Sequence, residues 1–486
     1  MNEDKRLKIV KYINDPVYGG IAITQMEMEI IDTPVFQRLR GLRQLARVNY
    51  VFPGAEHSRY VHSLGVLYIM GLMTEHLLKR KELNEDDVVK MRAAALLHDI
   101  GHYPLSHLGE EVYSYCKENE IANFIIESED SAEKKPLYEL ASSHSKVAHH
   151  EHLGKYIVVH NQDIRGILEK NNIDPLEIGE IFTGERGSRN MVYTQLLHSS
   201  LDADRLDYLL RDSYQTGVKY GLVDLQYLIR LLMVVEDPTM PSIENNRVLV
   251  CNKKGQHVVE HFLMSRYFHY SQVIFHKTNA AFEGMIKSMY IKLVQNQKFI
   301  FNSLQEIHEG INEKEFLKFN DSFLEVAFEQ FYEETDDEEY KRIYEMYRER
   351  IRPKVIFEIK DLYEESPSPE FAILKWELKK NPEKISGILG TDRWGYQVIP
   401  ITIEKIQGKY RLTEALTNHE EELREAVKLY DIDEGRVSYL AEDRLSVVNK
   451  LANLKSEFIR IYVLEEKGKA YDYQKMHQDI KALITS

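Results

Sequence analysis

The sequence predicts a mainly α protein: a helical core with short β-hairpins, followed by a smaller α+β region at the C-terminal end. Three observations predict it. Long stretches carry apolar residues at helical spacing, short β-prone runs lie beside turn residues, and the composition changes after about residue 310.

Taken in chain order, "YINDPVYGGIAIT" (12–24) reads as a turn leading into a short strand. "VLYIMGLMTEHLLKR" and "VVKMRAAALLHDIGH" have helical periodicity, and Pro104 stops the second soon after Gly101. "SLDADRLDYLLRDSYQTG" repeats the pattern, with Gly217 as its C-terminal stop. "NRVLVCNKKGQHVVEHFLMSRYFHY" predicts a hairpin turning at Lys253-Lys254-Gly255 and feeding a long helix. Beyond 310, "EETDDEEYKRIYEMYRERIRP" predicts a solvated charged helix, and "EESPSPE" a loop or linker. "ISGILGTDRWGYQVIPITIEKIQGKYRLT" predicts a small strand unit, and "LSVVNKLANLKSEFIRIYVL" a helix and a terminal strand. The expected division is a core over 1–310 and a C-terminal α+β region over 311–486.

At 486 residues the chain exceeds what one compact core usually holds, and 43% apolar residues are ample for burial. The net charge of -15, from 63 basic and 78 acidic residues, argues against non-specific duplex binding, so no nucleic-acid partner is expected. It leaves room for an anionic small molecule, because a few arginines in a cleft set the local field. Two cysteines, Cys116 and Cys251, exclude a disulfide framework or a Cys-rich zinc site and point to a reducing cytoplasm. The N-terminal segment has no secretory h-region, and no run approaches the ~20 apolar residues of a membrane span. A soluble cytoplasmic protein without a membrane partner is expected.

"LLHDIGHYPLSH" (96–107) sets three histidines and an aspartate against Leu96, Leu97, Ile100 and Leu105. His98 and Asp99, neighbours on a helix, diverge by about 100° and share an ion only at a helix end or bend, which Gly101 and Pro104 supply. His102 lies one turn beyond His98. Upstream, "HSRYVHSLGV" adds His57 and His62; downstream, "LDADRLDYLLRD" adds Asp202, Asp204, Asp207 and Asp212. Imidazole and carboxylate donors without thiolate suit Mn, Fe, Zn, Co or Ni, with Mg bound more weakly. Four unrelated polar groups would leave Asp99 unpaired in an apolar helix, which is expensive.

With these motifs in this order, the chain resembles the HD-domain deoxynucleoside triphosphate triphosphohydrolases, the group containing the SAM-and-HD-domain dNTPase and its bacterial relatives. The resemblance runs from about Lys11 to Lys277. It implies a helical HD-domain core in which His62, His98, Asp99 and Asp204 hold the metal. It implies His102 as a catalytic histidine, His107 near the leaving oxygen, Glu110 where the family usually has aspartate, and His150 of "AHHEHLG" as a further active-site histidine. Which of His149, His150 and His152 points inward stays open. For the substrate, the resemblance implies Arg59, Arg205, Arg266 and Lys277 around a triphosphate, with Tyr208 and Asp212 near sugar and triphosphate. Gln44 and Leu45 would inspect the ribose, and Phe275 stands where the family has a sugar-packing tyrosine.

The implied reaction is metal-assisted attack of water on the α-phosphorus, yielding deoxynucleoside and inorganic triphosphate, with a protonated histidine serving the departing 5′ oxygen. "INDPVYGG" and "IDTPVFQRLRGLRQL" resemble the family's nucleotide-activated segments. They imply Lys11, Asn14, Asp32, Gln37 and Arg40 as a site for a guanine nucleotide (dGTP or GTP) in a homo-oligomer, dimer or tetramer. Locally, Asp32 also reads as the N-cap before Thr33-Pro34.

Competing readings are a peptidase, from "HVVEH" (His257, Glu260, His261), and another HD phosphohydrolase such as a nucleoside monophosphatase, cyclic-nucleotide phosphodiesterase or alarmone hydrolase. A third is a nucleotide sensor or nucleic-acid-binding scaffold. "DTPVFQRLR", "DRLDYLLRD" and "FHK" favour the dNTPase among them. No P-loop and no G-x-S-x-G elbow is present in the sequence.

Overall fold

The helix Arg59–Lys79 has no polar face: Leu64, Val66, Leu67, Ile69, Met70, Met73 and Leu77 are all buried. A helix apolar all round must be covered on every side, and this one is the hub of a helical core. The computed structural model describes residues 4–118, 139–141, 149–184, 191–237, 246–402, 426–451, 454–465 and 468–485. By length and apolarity the hub helix could cross a membrane, but it sits inside the core and carries buried His62.

Two helices against the hub shape the site. Glu85–Leu97 starts in a capping box between Asn84 and Asp87. It ends earlier than Pro104 suggested, with His98 as C-cap and His98–Gly101 already in a turn. Ala203–Thr216 starts at Asp202, whose carboxylate accepts from Arg205 N, and stops at Gly217 with φ 77°. Gly65 permits close approach between this helix and the hub: a Cβ there would collide with the Asp207 carboxylate and the Arg211 guanidinium.

The N-terminal segment forms a full hairpin, Ile9–Asp15 against Gly19–Thr24, where only the second strand was expected. The first strand is an edge with Ile9, Val10 and Tyr12 exposed, so it lacks the alternation that marks a half-buried strand. The turn at Lys253-Lys254-Gly255 also differs from expectation. Arg247–Asn252 pairs backwards with Leu232–Glu236, and Lys253–Gly255 is a 3-10 turn running straight into the helix Gln256–His269. The Asn252 side chain accepts from Lys254 N, capping that turn rather than reversing the chain.

The acidic helix Glu338–Arg348 is not solvated all round: Tyr340, Ile343, Tyr344, Met346 and Tyr347 are buried in the main apolar cluster. With Asp321–Glu334 it packs on the helix Lys277–Gln295, so the main core runs past residue 310 to Tyr347 and also takes in Val427, Leu429, Leu440, Val448, Tyr462 and Leu464. A second apolar cluster starts at Ile356. There Lys455–Val463 lies between Lys354–Tyr363 and Trp394–Thr402, antiparallel to both, with the helices Pro369–Lys380, Pro382–Leu389 and Tyr473–Thr485 packed nearby. "ISGIL" belongs to the second of these helices rather than to a strand. The part of the expected strand unit over 403–413 lies outside the described residues. The fold is therefore mainly α, with a helical core, short hairpins and a smaller α+β region.

Candidate active site

Three segments meet at the buried end of the hub helix. His62 comes from its first turn, His98 and Asp99 from the turn after Leu97, and Asp204 from the first turn of Ala203–Thr216. His62 Nε2 lies 3.0 Å from Asp204 Oδ1 and 3.7 Å from Asp99 Oδ2. His98 Nε2 lies 3.3 Å from Asp99 Oδ1 and 3.8 Å from Asp204 Oδ1. Donor atoms of His62, His98 and Asp204 all fall within 4.8 Å of one another.

Each histidine has its outer nitrogen engaged. His62 Nδ1 is 2.8 Å from Asp207 Oδ2, and His98 Nδ1 is 2.8 Å from the carbonyl of Ala95. Protonated Nδ1 atoms donating outward leave both Nε2 lone pairs facing inward, where these buried atoms have no hydrogen-bond partner. Asp207 is in turn held by Arg211 at 2.9 and 3.1 Å, and Arg211 reaches Asp15 at 2.8 Å. Burial opposes a charge on His62, yet the Asp204 and Asp207 carboxylates beside its two nitrogens outweigh it and, with no cation present, raise the imidazole to about 10. A buried site that holds a proton this tightly has an excess of negative charge, and a cation satisfies it. Imidazole and carboxylate donors with inward lone pairs fit a divalent metal.

Arg59, expected at the triphosphate, is anchored on Asp99. Its Nη1 donates to Asp99 Oδ2 at 2.6 Å and its Nε to Ser106 Oγ at 2.7 Å. Burial works against the Asp99 charge, but Arg59, His98 and His102 hold its carboxyl well below the usual range. The turn that supplies Ser106 is strained. Leu105 and Ser106 both have φ near 60°, a region side chains rarely adopt, and the geometry is held by Ser106 Oγ on Arg43 O and Leu105 N on Asp321 Oδ1, each 2.8 Å.

A second histidine group abuts the first. His102 Nε2 is 3.1 Å from Asp99 Oδ1, and its ring stacks on His150 at 3.7 Å. Glu110 Oε1 lies 2.9 Å from His150 Nδ1, 3.2 Å from His102 Nδ1 and 3.3 Å from His107 Nδ1. His150 is therefore the inward histidine of its trio; His149 is half-buried beside Glu151, and His152 is exposed. Close backbone contact brings it there: a Cβ on Gly101 would collide with His150 O and Gly154 N. Burial, with Arg59 and His150 nearby, lowers His102 to about 3, so its ring is neutral. Glu110 is held well below its usual range by His150 and His107 against the opposing effect of burial. His107, 66% exposed in its side chain, forms the rim.

Arg205 binds the N-cap Asp202, and with Arg266 it shapes the surroundings of Tyr208, whose buried hydroxyl has no hydrogen-bond partner. Arg266 lies 5.6 Å from the Tyr270 ring, and Phe275 is 5.9 Å from the same ring. Gln44 donates its backbone N–H to His57 O at 3.0 Å, with Leu45 buried beside it; Lys277 opens the next helix and is exposed. Asp212 has both oxygens occupied, by His57 at 2.8 Å and His269 at 3.1 Å. His269 carried no signal in the sequence beyond its place one turn after Arg266. His57 was visible only as a nearby imidazole.

Lys11 and Asn14 are exposed on the first hairpin strand. Arg40 stacks on Tyr60 at 3.6 Å and donates to Gln37 Oε1 at 2.7 Å, and Asp32 is close enough to influence the Tyr60 hydroxyl. Asp32 is the C-cap of Gln25–Ile31; the N-cap before Pro34 is Thr33, whose hydroxyl accepts from Phe36 N. A threonine directly before proline is already in the extended backbone an N-cap needs. "HVVEH" assembles no zinc site: His257 is 92% exposed, His261 is exposed, and Glu260 is buried.

Residues 59–212 match the HD domain family. The uncharacterised protein YwfO of Bacillus subtilis is 29% identical over 341 residues, 68% of each chain. The uncharacterised protein MJ1154 of Methanocaldococcus jannaschii is 30% identical over 315 residues, 65% of this chain and 56% of that one. The deoxynucleoside triphosphate triphosphohydrolase SAMHD1 of Gallus gallus is 31% identical over 237 residues, 47% of this chain and 37% of its own length. The alignments thus span well under two thirds of the latter two relatives. Among solved structures, a phosphohydrolase from Bacteroides thetaiotaomicron superposes with TM-score 0.62 at 24% identity, covering 94% of this chain and all of that one. A hypothetical protein from Aquifex aeolicus superposes with TM-score 0.65 at 22% identity over 98% and 100%. At that identity the two structures share the fold.

Proposed function

We propose, for a chain that belongs to the HD-domain, dNTPase-like phosphohydrolases, that it hydrolyses dNTPs to deoxynucleoside and inorganic triphosphate. The observation that carries the reading is the His62, His98, Asp99 and Asp204 quartet, lone pairs inward, beside a second buried histidine group. A divalent ion held by the quartet (Mn, Fe, Zn, Co or Ni, with Mg weaker) would supply the positive charge that makes water nucleophilic at neutral pH.

The chain's own residues divide the remaining tasks. Arg205, which also binds Asp202, and Arg266 would carry positive charge toward a triphosphate near Tyr208, with exposed Lys277 opening the next helix, while Arg59 holds Asp99. His102, lowered to about 3 by burial, positions its neighbours rather than supplying an acidic proton. The proton for the departing 5′ oxygen comes from the His107–Glu110–His150 group, in which the Glu110 carboxylate holds the His150 imidazole above its usual range against burial. Gln44 and Leu45 bound the sugar, and Phe275 offers a ring without a hydroxyl. Guanine-nucleotide activation through Lys11, Asn14, Asp32, Gln37 and Arg40 in a homo-oligomer belongs to the same reading. So does a reducing compartment, in keeping with Cys116 and Cys251, both free and buried.

A second reading, another HD phosphohydrolase such as a nucleoside monophosphatase, is favoured by Asp212, whose oxygens are taken by two histidines rather than open to a sugar. Product analysis separates the two. The protein, loaded with Mn2+, is incubated with each dNTP, with and without GTP, and the products are separated. Triphosphate with intact deoxynucleoside is expected. Orthophosphate or pyrophosphate as the sole product would overturn the dNTPase reading.

A further inference from the structure

We propose that the C-terminal α+β region backs the sugar side of the site, with Phe458 and Arg460 as positioning residues that seat Phe275. What Phe275 touches rests on the dNTPase reading; how it is held does not. The strand Lys455–Val463 divides its side chains between two cores. Ile459, Ile461 and Val463 enter the cluster formed with the C-terminal helices. The alternate residues Ser456, Phe458, Arg460 and Tyr462 are buried as well, and Tyr462 belongs to the main core. The second face of this sheet therefore lies on the helical core.

That face grips one loop. Phe458 packs against Tyr267 and Phe275. Arg460, two residues on, donates from Nη1 to the carbonyl of Phe275 at 2.8 Å and from Nε to Glu358 on the neighbouring strand. A guanidinium buried on a packed sheet face is costly unless acceptors meet it, and one acceptor here is the main chain of Phe275. Arg352 adds a second tie, from Nη1 to Thr278 Oγ1 at 3.3 Å.

The gripped loop runs between the residues that the resemblance assigns to the sugar. Phe275 follows a single π-helical turn, Tyr270–Ile274, a feature that often marks functional sites, and its N–H donates to Tyr270 O at 2.9 Å. Its ring is 5.9 Å from Tyr270, which is 6.4 Å from Tyr208. On the other side, Val273 and Ile274 pack with Leu45. A loop held at Phe275 thus fixes the distance between the Tyr208 and Leu45 sides of the pocket.

Two measurements on the full-length protein test this. Amide hydrogen exchange without nucleotide reads the seating itself. Peptides over 270–278 should exchange about tenfold faster in Arg460→Met and in Phe458→Ala, while peptides of the hub helix keep their wild-type rates. Steady-state dNTP hydrolysis reads the consequence: KM should rise about 5- to 10-fold in both variants with kcat within about twofold of wild type. Arg460→Lys, which keeps a donor, should recover part of the KM. Glu457→Gln, on the same strand but paired with Lys375, should move neither readout. Unchanged exchange over 270–278, faster exchange shared equally by the hub helix, or an unchanged KM beside faster exchange would each overturn the proposal. A wild type that hydrolyses no dNTP would sink the dNTPase reading instead, and the exchange rates would still decide whether the C-terminal strand seats Phe275.

Discussion

The two histidine groups differ in where their nitrogens are anchored. In the quartet, each histidine ties one nitrogen to a partner outside the site, Asp207 for His62 and Ala95 O for His98, and turns the other inward. In the second group, His102, His107 and His150 turn a nitrogen toward the same oxygen of Glu110. The first arrangement defines tautomers and so builds a metal-ligand set before any ion arrives. The second leaves the proton count open, which suits a group that holds, gives or exchanges a proton. Histidine identity alone does not separate these roles; the partner of the far nitrogen does.

Four substitutions probe that contrast. Asp204→Asn removes a charged donor from the quartet, so the quartet ion should be lost and turnover should fall by about 1,000-fold or more, several kcal/mol of barrier. Metal content and kcat measured together check it. Asp207→Asn touches no metal position, yet it should weaken metal binding by about 10- to 100-fold by freeing the His62 tautomer. A chelator competition reads this, and unchanged affinity would break the claim that anchoring defines the ligand. Glu110→Gln should lower kcat by about 10- to 100-fold while the quartet ion stays bound. Loss of that ion in the same variant would merge the two groups into one. Phe275→Tyr should be smallest, shifting dNTP over NTP preference by about tenfold or less, read as the ratio of kcat/KM values.

How much could be read from residues alone follows the same contrast. "LLHDIGHYPLSH" was legible because metal chemistry restricts donors to a few residue types, and a bend after His98 is the way to use neighbouring donors. The set His62, His98, Asp99 and Asp204 came from the family resemblance, and the structure brings the four together. The choice of His150 among three histidines was not legible, because it depends on the contact of Gly101 with Gly154, brought together by folding across about fifty residues. His57 and His269 clamp Asp212 across 155 and 57 positions, which no local pattern encodes. The family resemblance placed Arg59 at the triphosphate; its ion pair with the buried Asp99 carboxylate, 40 residues on, had no local signal. In the fold, the exposed first strand and the acidic helix Glu338–Arg348 misled for one reason. Their polar or solvent-facing residues dominate composition, whereas burial of one face is decided by neighbours distant in sequence.

The central claim is that water attacks the α-phosphorus of a dNTP beside the quartet. Hydrolysis of dGTP in 18O-enriched water tests it in one step, by mass spectrometry of both products. One 18O atom in the triphosphate and none in the deoxynucleoside is the predicted result. Label in the deoxynucleoside, or label confined to orthophosphate, would contradict it.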